Sequence, residues 1–197
     1  MTSLPIVSEI RACTHCDAVL PLGPNPIVTA VKETKIALIS QAPGRAAHLS
    51  STAWDDPSGR RLREWLGVTD EVFYNPVNFG VIPMGFCYPG KGKSGDLPPR
   101  KECTPLWHEK LLAALPNIQL FLLIGGYAQK YYLGKSRKQN LTKTVRAYQE
   151  YLPKFFPLVH PSPLNTHWLR KNDWFDKEVI PELRKQLQNC GVPIEKS

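Results

Sequence analysis

Residues 119–124, Gln-Leu-Phe-Leu-Leu-Ile, run five apolar side chains together before Gly125-Gly126 turns the chain. A strand with one wet face alternates apolar and polar residues, so a run this uniform needs cover on both faces. Three other short runs suit the same sheet: 35–40 (Lys-Ile-Ala-Leu-Ile-Ser), 79–82 (Phe-Gly-Val-Ile) and 155–159 (Phe-Phe-Pro-Leu-Val). Helical patterns alternate with them. Ile6, Ile10 and Ala12 give an amphipathic helix over 6–14, and Asp56-Pro57 caps and opens a helix through Leu62, Trp65 and Leu66 that stops at Gly67. Further helices are predicted from Cys103 through Leu115, from Gly126 through Leu133, and over 176–189. This alternation predicts an α/β fold of three layers, α/β/α, around a central, mostly parallel four-stranded sheet. No linker or repeat divides residues 1–197, so one domain is expected.

The stretches between these elements are expected to be loops: 21–26, 45–56, 88–102 and the basic segment 134–145. Gly92-Lys93-Ser94 has the ending of a phosphate-binding loop, but Cys87 stands where the upstream glycine belongs and no helix follows directly. The long loop is better read as a DNA-contacting surface or a cover over a metal group. Lys135, Arg137, Lys138 and Lys143 suit phosphate contact or a solvated surface.

A net charge of +8 favours a polyanionic partner such as nucleic acid. No run of eighteen apolar residues offers a membrane span. Met1-Thr2-Ser3-Leu4-Pro5 lacks the basic start and apolar core of a secretory signal, so a reducing, cytoplasmic setting is expected. There, five cysteines suit metal ligation or buried thiols better than disulfides. Two residues lie between Cys13 and Cys16 and fifteen between Cys87 and Cys103. Four thiolates suit a [4Fe–4S] cluster, with zinc as the alternative. Cys190 falls outside the pattern as a free thiol.

Candidate chemistry gathers beyond the strand ends. His160-Pro161-Ser162-Pro163-Leu164-Asn165 leaves the last strand, and Ser40-Gln41-Ala42-Pro43-Gly44 leaves the first. Ligands of parallel sheets bind at the carboxyl ends of strands. These two segments, with the cysteine spacing, resemble the uracil-DNA glycosylase superfamily and its iron–sulfur class most closely. The resemblance runs in the family's order along nearly the whole chain.

That resemblance implies a base-excision glycosylase acting on DNA that carries a deaminated or damaged base, as a monomer. It implies that His160 faces the base as a catalytic donor and that Leu164 enters the stack where the nucleotide leaves. Trp54, in Ala53-Trp54-Asp55-Asp56-Pro57-Ser58-Gly59, stands where an aromatic stacks on the flipped base; core packing is its structural alternative. Gln41 and Ala42 would contact base and water, and Ser162, Arg170 and Lys171 would grip phosphates. Cys13, Cys16, Cys87 and Cys103 would hold the cluster. The pattern departs from the family at two places. Gln41 and Ala42 stand where carboxylates activate water, which leaves Asp55 as the nearest free carboxylate and gives Asp56 to the helix cap. Pro83 stands where an asparagine reads uracil, so either backbone near Met84 and Gly85 reads the base or the base is not uracil. A DNA-binding relative without catalysis is the alternative function.

Overall fold

The computed structural model describes residues 4–195. Part of the amino-terminal stretch judged above, Met1–Ser3, lies outside them. Four strands form one parallel sheet: β1 (Ile36–Ile39), β2 (Phe79–Val81), β5 (Leu120–Ile124) and β6 (Phe155–Leu158), in the order β2-β1-β5-β6. Ile36 aligns with Phe79 on one side and Leu120 on the other, and Phe121 aligns with Phe155. A second, antiparallel pair, β3 (Lys91–Gly92) and β4 (Gly95–Asp96), stands apart as a small hairpin.

The uniform apolar runs are buried on both faces. Leu120, Leu122 and Ile124 pack into one core with Leu62, Trp65 and Leu66 of α3 (Pro57–Leu66) and Leu183 and Leu187 of α9 (Ile180–Asn189). Leu123 turns the other way, with Ala37 and Ile39, onto Val7 and Ile10 of α1 (Pro5–Arg11), Leu111 of α5 (Glu109–Ala113) and Ala128 of α6 (Gly126–Leu133). The result is three layers. Each fully buried large aliphatic side chain contributes about 1.5–3 kcal/mol.

The cap signals around α3 work as expected. Asp56 Oδ1 accepts from the Gly59 N–H at 2.7 Å, and Gly67 closes the helix in the left-handed region. Arg184 from α9 donates to the carbonyls of Glu64 and Trp65 at the same helix end.

Several expected loops are partly helical. Segment 45–56 contains α2 (Arg45–Ser50), which starts once Pro43-Gly44 ends the extended chain. Residues beyond Gly67 form α4 (Asp70–Tyr74), capped by Thr69. The basic segment runs into α7 (Leu141–Arg146), capped by Asn140, and two of its cations find partners: Lys138 pairs with Glu150 and Lys143 donates to the Gln139 side-chain oxygen. In α1 the buried face is Val7 and Ile10, while Ala12 is exposed beyond the helix end. Both the helix after Cys103 and the terminal helix begin with a wider, π-type turn, at Thr104–His108 and Phe175–Val179. The last short helix, α8 (Thr166–Lys171), follows the His160 segment directly.

Candidate active site

β1 and β5 are neighbours at the middle of the sheet, and the chain leaves them toward opposite edges. Such a switch point opens a crevice beyond the carboxyl ends of the strands. A cavity of about 410 Å³ lies there. Its walls come from residues that follow strand ends: Ser40–Gly44 after β1, Pro83 after β2 and His160 after β6. Trp54, Asp56, Ser162, Leu164 and the hairpin residues Lys91, Ser94, Gly95 and Asp96 line it as well.

The His160 segment is held from below and from the side. Gln129, fully buried on α6, donates to the carbonyls of Leu158 and Leu123, tying the ends of β6 and β5 together. Gly125, in the left-handed region at φ 87°, brings bare backbone against His160; a Cβ there would lie 3.7 Å from the His160 Cβ. Arg61 on α3 donates to the carbonyls of Pro161 and Ser162 and reaches the Thr166 hydroxyl. Asn165 donates back to the His160 carbonyl at 2.8 Å.

These contacts also fix the imidazole. The Ser162 backbone N–H donates to His160 Nδ1 at 3.1 Å, so in the neutral ring the proton sits on Nε2. Burial lowers the His160 pKa, and the Asp56 carboxylate opposes that only in part. The ring therefore stays neutral near pH 7, with Nε2–H as its donor.

Trp54 packs its ring 5.7 Å from that of His160 and is largely buried, so it is at once core and cavity wall. Its backbone is left-handed, at φ 60°. Such a conformation in a non-glycine residue costs about 1–3 kcal/mol and persists only when its surroundings impose it. Gly59 makes room for it: a Cβ on Gly59 would sit 1.7 Å from the Trp54 carbonyl oxygen. Arg63 donates to the same carbonyl.

The cavity floor is apolar. Ile27, Ala47, Ala53, Val81 and Pro83 line it, all buried. The Pro83 carbonyl is already engaged by Nε2 of His108 at 3.0 Å, and His108 Nδ1 accepts from the Tyr132 hydroxyl at 2.7 Å. Met84 and Gly85 are not among the cavity's lining residues. Their N–H groups bond to the Ser40 and Gln41 carbonyls at 2.8 and 3.0 Å, so the backbone considered for base reading is spent on joining β2 to the first motif.

Gln41 and Ala42 line the cavity, but the Gln41 amide donates to the Leu97 carbonyl at 3.0 Å, tying the hairpin loop across the mouth. Asp55 is exposed and outside the cavity, beside Tyr74. Asp56, read from sequence as a cap, caps and also lines the cavity. Leu164 is 78% exposed at the rim. Arg170 and Lys171 lie exposed on α8, beyond that rim and off the cavity wall. Asp96, Lys91, Arg61 and Gln129 were not singled out from sequence: the first two sat in a presumed loop, and the others looked like ordinary helix residues.

A second, smaller cavity is lined by Cys13, Cys16, Cys87 and Cys103 with Arg100, Phe86 and Trp107. Burial pushes the Cys87 thiol up to about 11 and raises Cys103 as well. Among the described residues, no group of three or more His, Cys, Asp or Glu side chains is arranged to hold a single metal ion. Among the described residues no helix is long and apolar enough to cross a membrane.

A family model described as the uracil DNA glycosylase superfamily matches residues 27–184, which carry the whole sheet and both motifs at its ends, and the chain belongs to that superfamily.

Proposed function

We propose that this member of the uracil DNA glycosylase superfamily hydrolyses the N-glycosidic bond of a deaminated or damaged base after flipping it from DNA. The observation that supports this best is the convergence of His160, Trp54 and Leu164 on one cavity, with the His160 proton held on Nε2. Leu164, apolar yet exposed, suits filling the gap left in the stack. Trp54 supplies an aromatic wall for the extruded base. As the C1′–N bond breaks, its electron pair goes to the base, and the Nε2–H of His160 donates to the oxyanion that develops. A donor placed for charge that appears only in the transition state accelerates the step without tightening substrate binding. Ser162, Arg170 and Lys171 grip phosphates, which position the strand without reading it.

The apolar floor bears on which base is taken. With the Pro83 carbonyl engaged by His108 and no asparagine there, recognition falls to His160, Gln41 and the cavity's shape. We therefore favour a pocket less strict for uracil than an amide-reading one, accepting other deaminated bases.

Cys13, Cys16, Cys87 and Cys103 would hold a [4Fe–4S] cluster, with zinc the alternative. The chemistry of the donor set fits: four thiols share one cavity beside the Arg100 cation. When bound it would supply negative charge and a cross-link between the amino-terminal segment and the ends of loop 88–102.

The test is an excision assay on oligonucleotides carrying uracil, hypoxanthine or xanthine, using protein purified without oxygen. His160→Ala is expected to lower the single-turnover rate about 10²–10³-fold while keeping strand affinity. An unchanged rate would sink the assignment. A catalytically silent, DNA-binding relative is the second reading, favoured by Gln41 being committed to the Leu97 carbonyl. It predicts salt-sensitive binding to these strands with no product.

A further inference from the structure

Hydrolysis needs a group to take a proton from water, and the first motif offers none: Gln41 and Ala42 stand there. Two carboxylates line the cavity instead, Asp56 and Asp96. They come from opposite sides. Asp56 is the cap of α3, and Asp96 ends β4 of the hairpin that stands over the mouth.

Both face Gly44. A Cβ built on Gly44 would lie 3.8 Å from Asp56 Oδ2 and 3.7 Å from Asp96 Oδ2. The absent side chain leaves a space bordered by two carboxylate oxygens. Gly44 itself has φ −75°, so its backbone does not demand glycine there. The two acids are not equivalent. Asp56 has committed Oδ1 to the Gly59 N–H and is electrostatically coupled to both His160 and Asp96. Asp96 has no such bond and stands at the exposed rim.

The hairpin is docked by Gln41 of the first motif. Gln41 Nε2 donates to the Leu97 carbonyl, one residue after Asp96, and the Leu97 N–H bonds to the Gly90 carbonyl. The amide in the first motif thus holds in place the segment that brings the Asp96 carboxylate to the cavity. A bare carboxylate facing a polyanion costs binding energy unless it serves the reaction, and Lys91, its cross-strand partner, offsets part of that cost.

Resting on the glycosylase reading, we infer that Asp96 is the general base: it takes the proton from a water held between it and Asp56 over Gly44. The water oxygen bonds to C1′ as the C1′–N bond breaks. The electron pair leaves with the base, and the water's proton passes to the Asp96 carboxylate. The second oxygen of Asp56 faces the positive charge that develops on the sugar. Partial burial raises the Asp96 pKa; Lys91 opposes this and Asp56 adds to it, while Tyr88 stands near enough to feel Asp96. A base so raised is better matched to neutral pH than an ordinary carboxylate.

The experiment is single-turnover excision across pH on the oligonucleotides above, with wild type, Asp96→Asn, Asp96→Glu and Gly44→Ala. Asp96→Asn is expected to lose about 10²–10⁴-fold in rate and the acid limb of the pH profile, with strand affinity retained. Asp96→Glu should restore part of both. Gly44→Ala, filling the space between the carboxylates, should slow excision without weakening the fold. If wild type releases a base and Asp96→Asn matches its rate and profile, the assignment of Asp96 fails while the glycosylase reading stands. If wild type releases no base from any strand, the glycosylase reading fails, and the role of Asp96 with it.

Discussion

The Pro83 floor depends on a buried histidine, and acid should expose that dependence. Neutral His108 donates from Nε2 to the Pro83 carbonyl and accepts at Nδ1 from the Tyr132 hydroxyl. Burial depresses its pKa to about 4, against about 6.5 in an unfolded chain. Between those values the unfolded chain binds a proton that the folded protein refuses. Stability is therefore full above the unfolded value and falls as pH drops toward 4. The gap is worth about 3 kcal/mol, a large part of the roughly 5–15 kcal/mol that holds a domain folded. The assay is urea denaturation near neutrality and near pH 4, for wild type and His108→Gln. The variant should be less stable at neutrality by about 1–3 kcal/mol, because buried partners lose their bonds. It should then lose about 3 kcal/mol less than wild type on acidification, since the other titrating groups are common to both. Equal losses would refute the linkage.

Three further outcomes are expected. Leu164→Ala should lower excision more on duplex than on single-stranded substrate, because a single strand has no stack to fill; equal losses measured side by side would remove its wedge role. Gly59→Ala should destabilise the protein by about 1–3 kcal/mol in denaturant titration, although alanine normally gains about 1 kcal/mol over glycine inside a helix, because its Cβ would collide with the Trp54 carbonyl. A stabilised variant would mean that this contact does not hold Trp54. Cys87→Ser with Cys103→Ser should speed amide hydrogen exchange across 88–102, since both ends of that loop lie at the cysteine cavity and its tip at the active one; unchanged exchange would separate the two cavities.

The sequence exposes the layers of this fold because burial writes itself into composition. A strand like 120–124, covered on both faces, has no room for polar residues, and Asp56-Pro57 with Gly67 bounds α3 by cap chemistry alone. His160 is legible as a residue leaving a buried strand, whereas Leu164 is legible only through the resemblance of residues 160–165 to the superfamily's motif. What stays hidden is what long-range contacts decide. Nothing near Asp96 in the chain reveals that Lys91–Asp96 folds as a hairpin, since two-residue strands carry no periodicity. Nothing near Gln41 reveals that its amide reaches across the mouth to the Leu97 carbonyl.

Asp56 and Asp55 show the same limit at adjacent positions. Both are acids before a helix, and local rules assign Asp56 to the cap and leave Asp55 free for chemistry. The chain turns left-handed at Trp54, with room made five residues downstream by Gly59, and the two acids part: Asp55 goes to the exposed surface and Asp56 to the cavity. A carboxylate has two oxygens, so capping with one leaves the other for the site. The local rule is right about the bond to Gly59 and silent about the second oxygen, and it is that second oxygen which looks across Gly44 to Asp96.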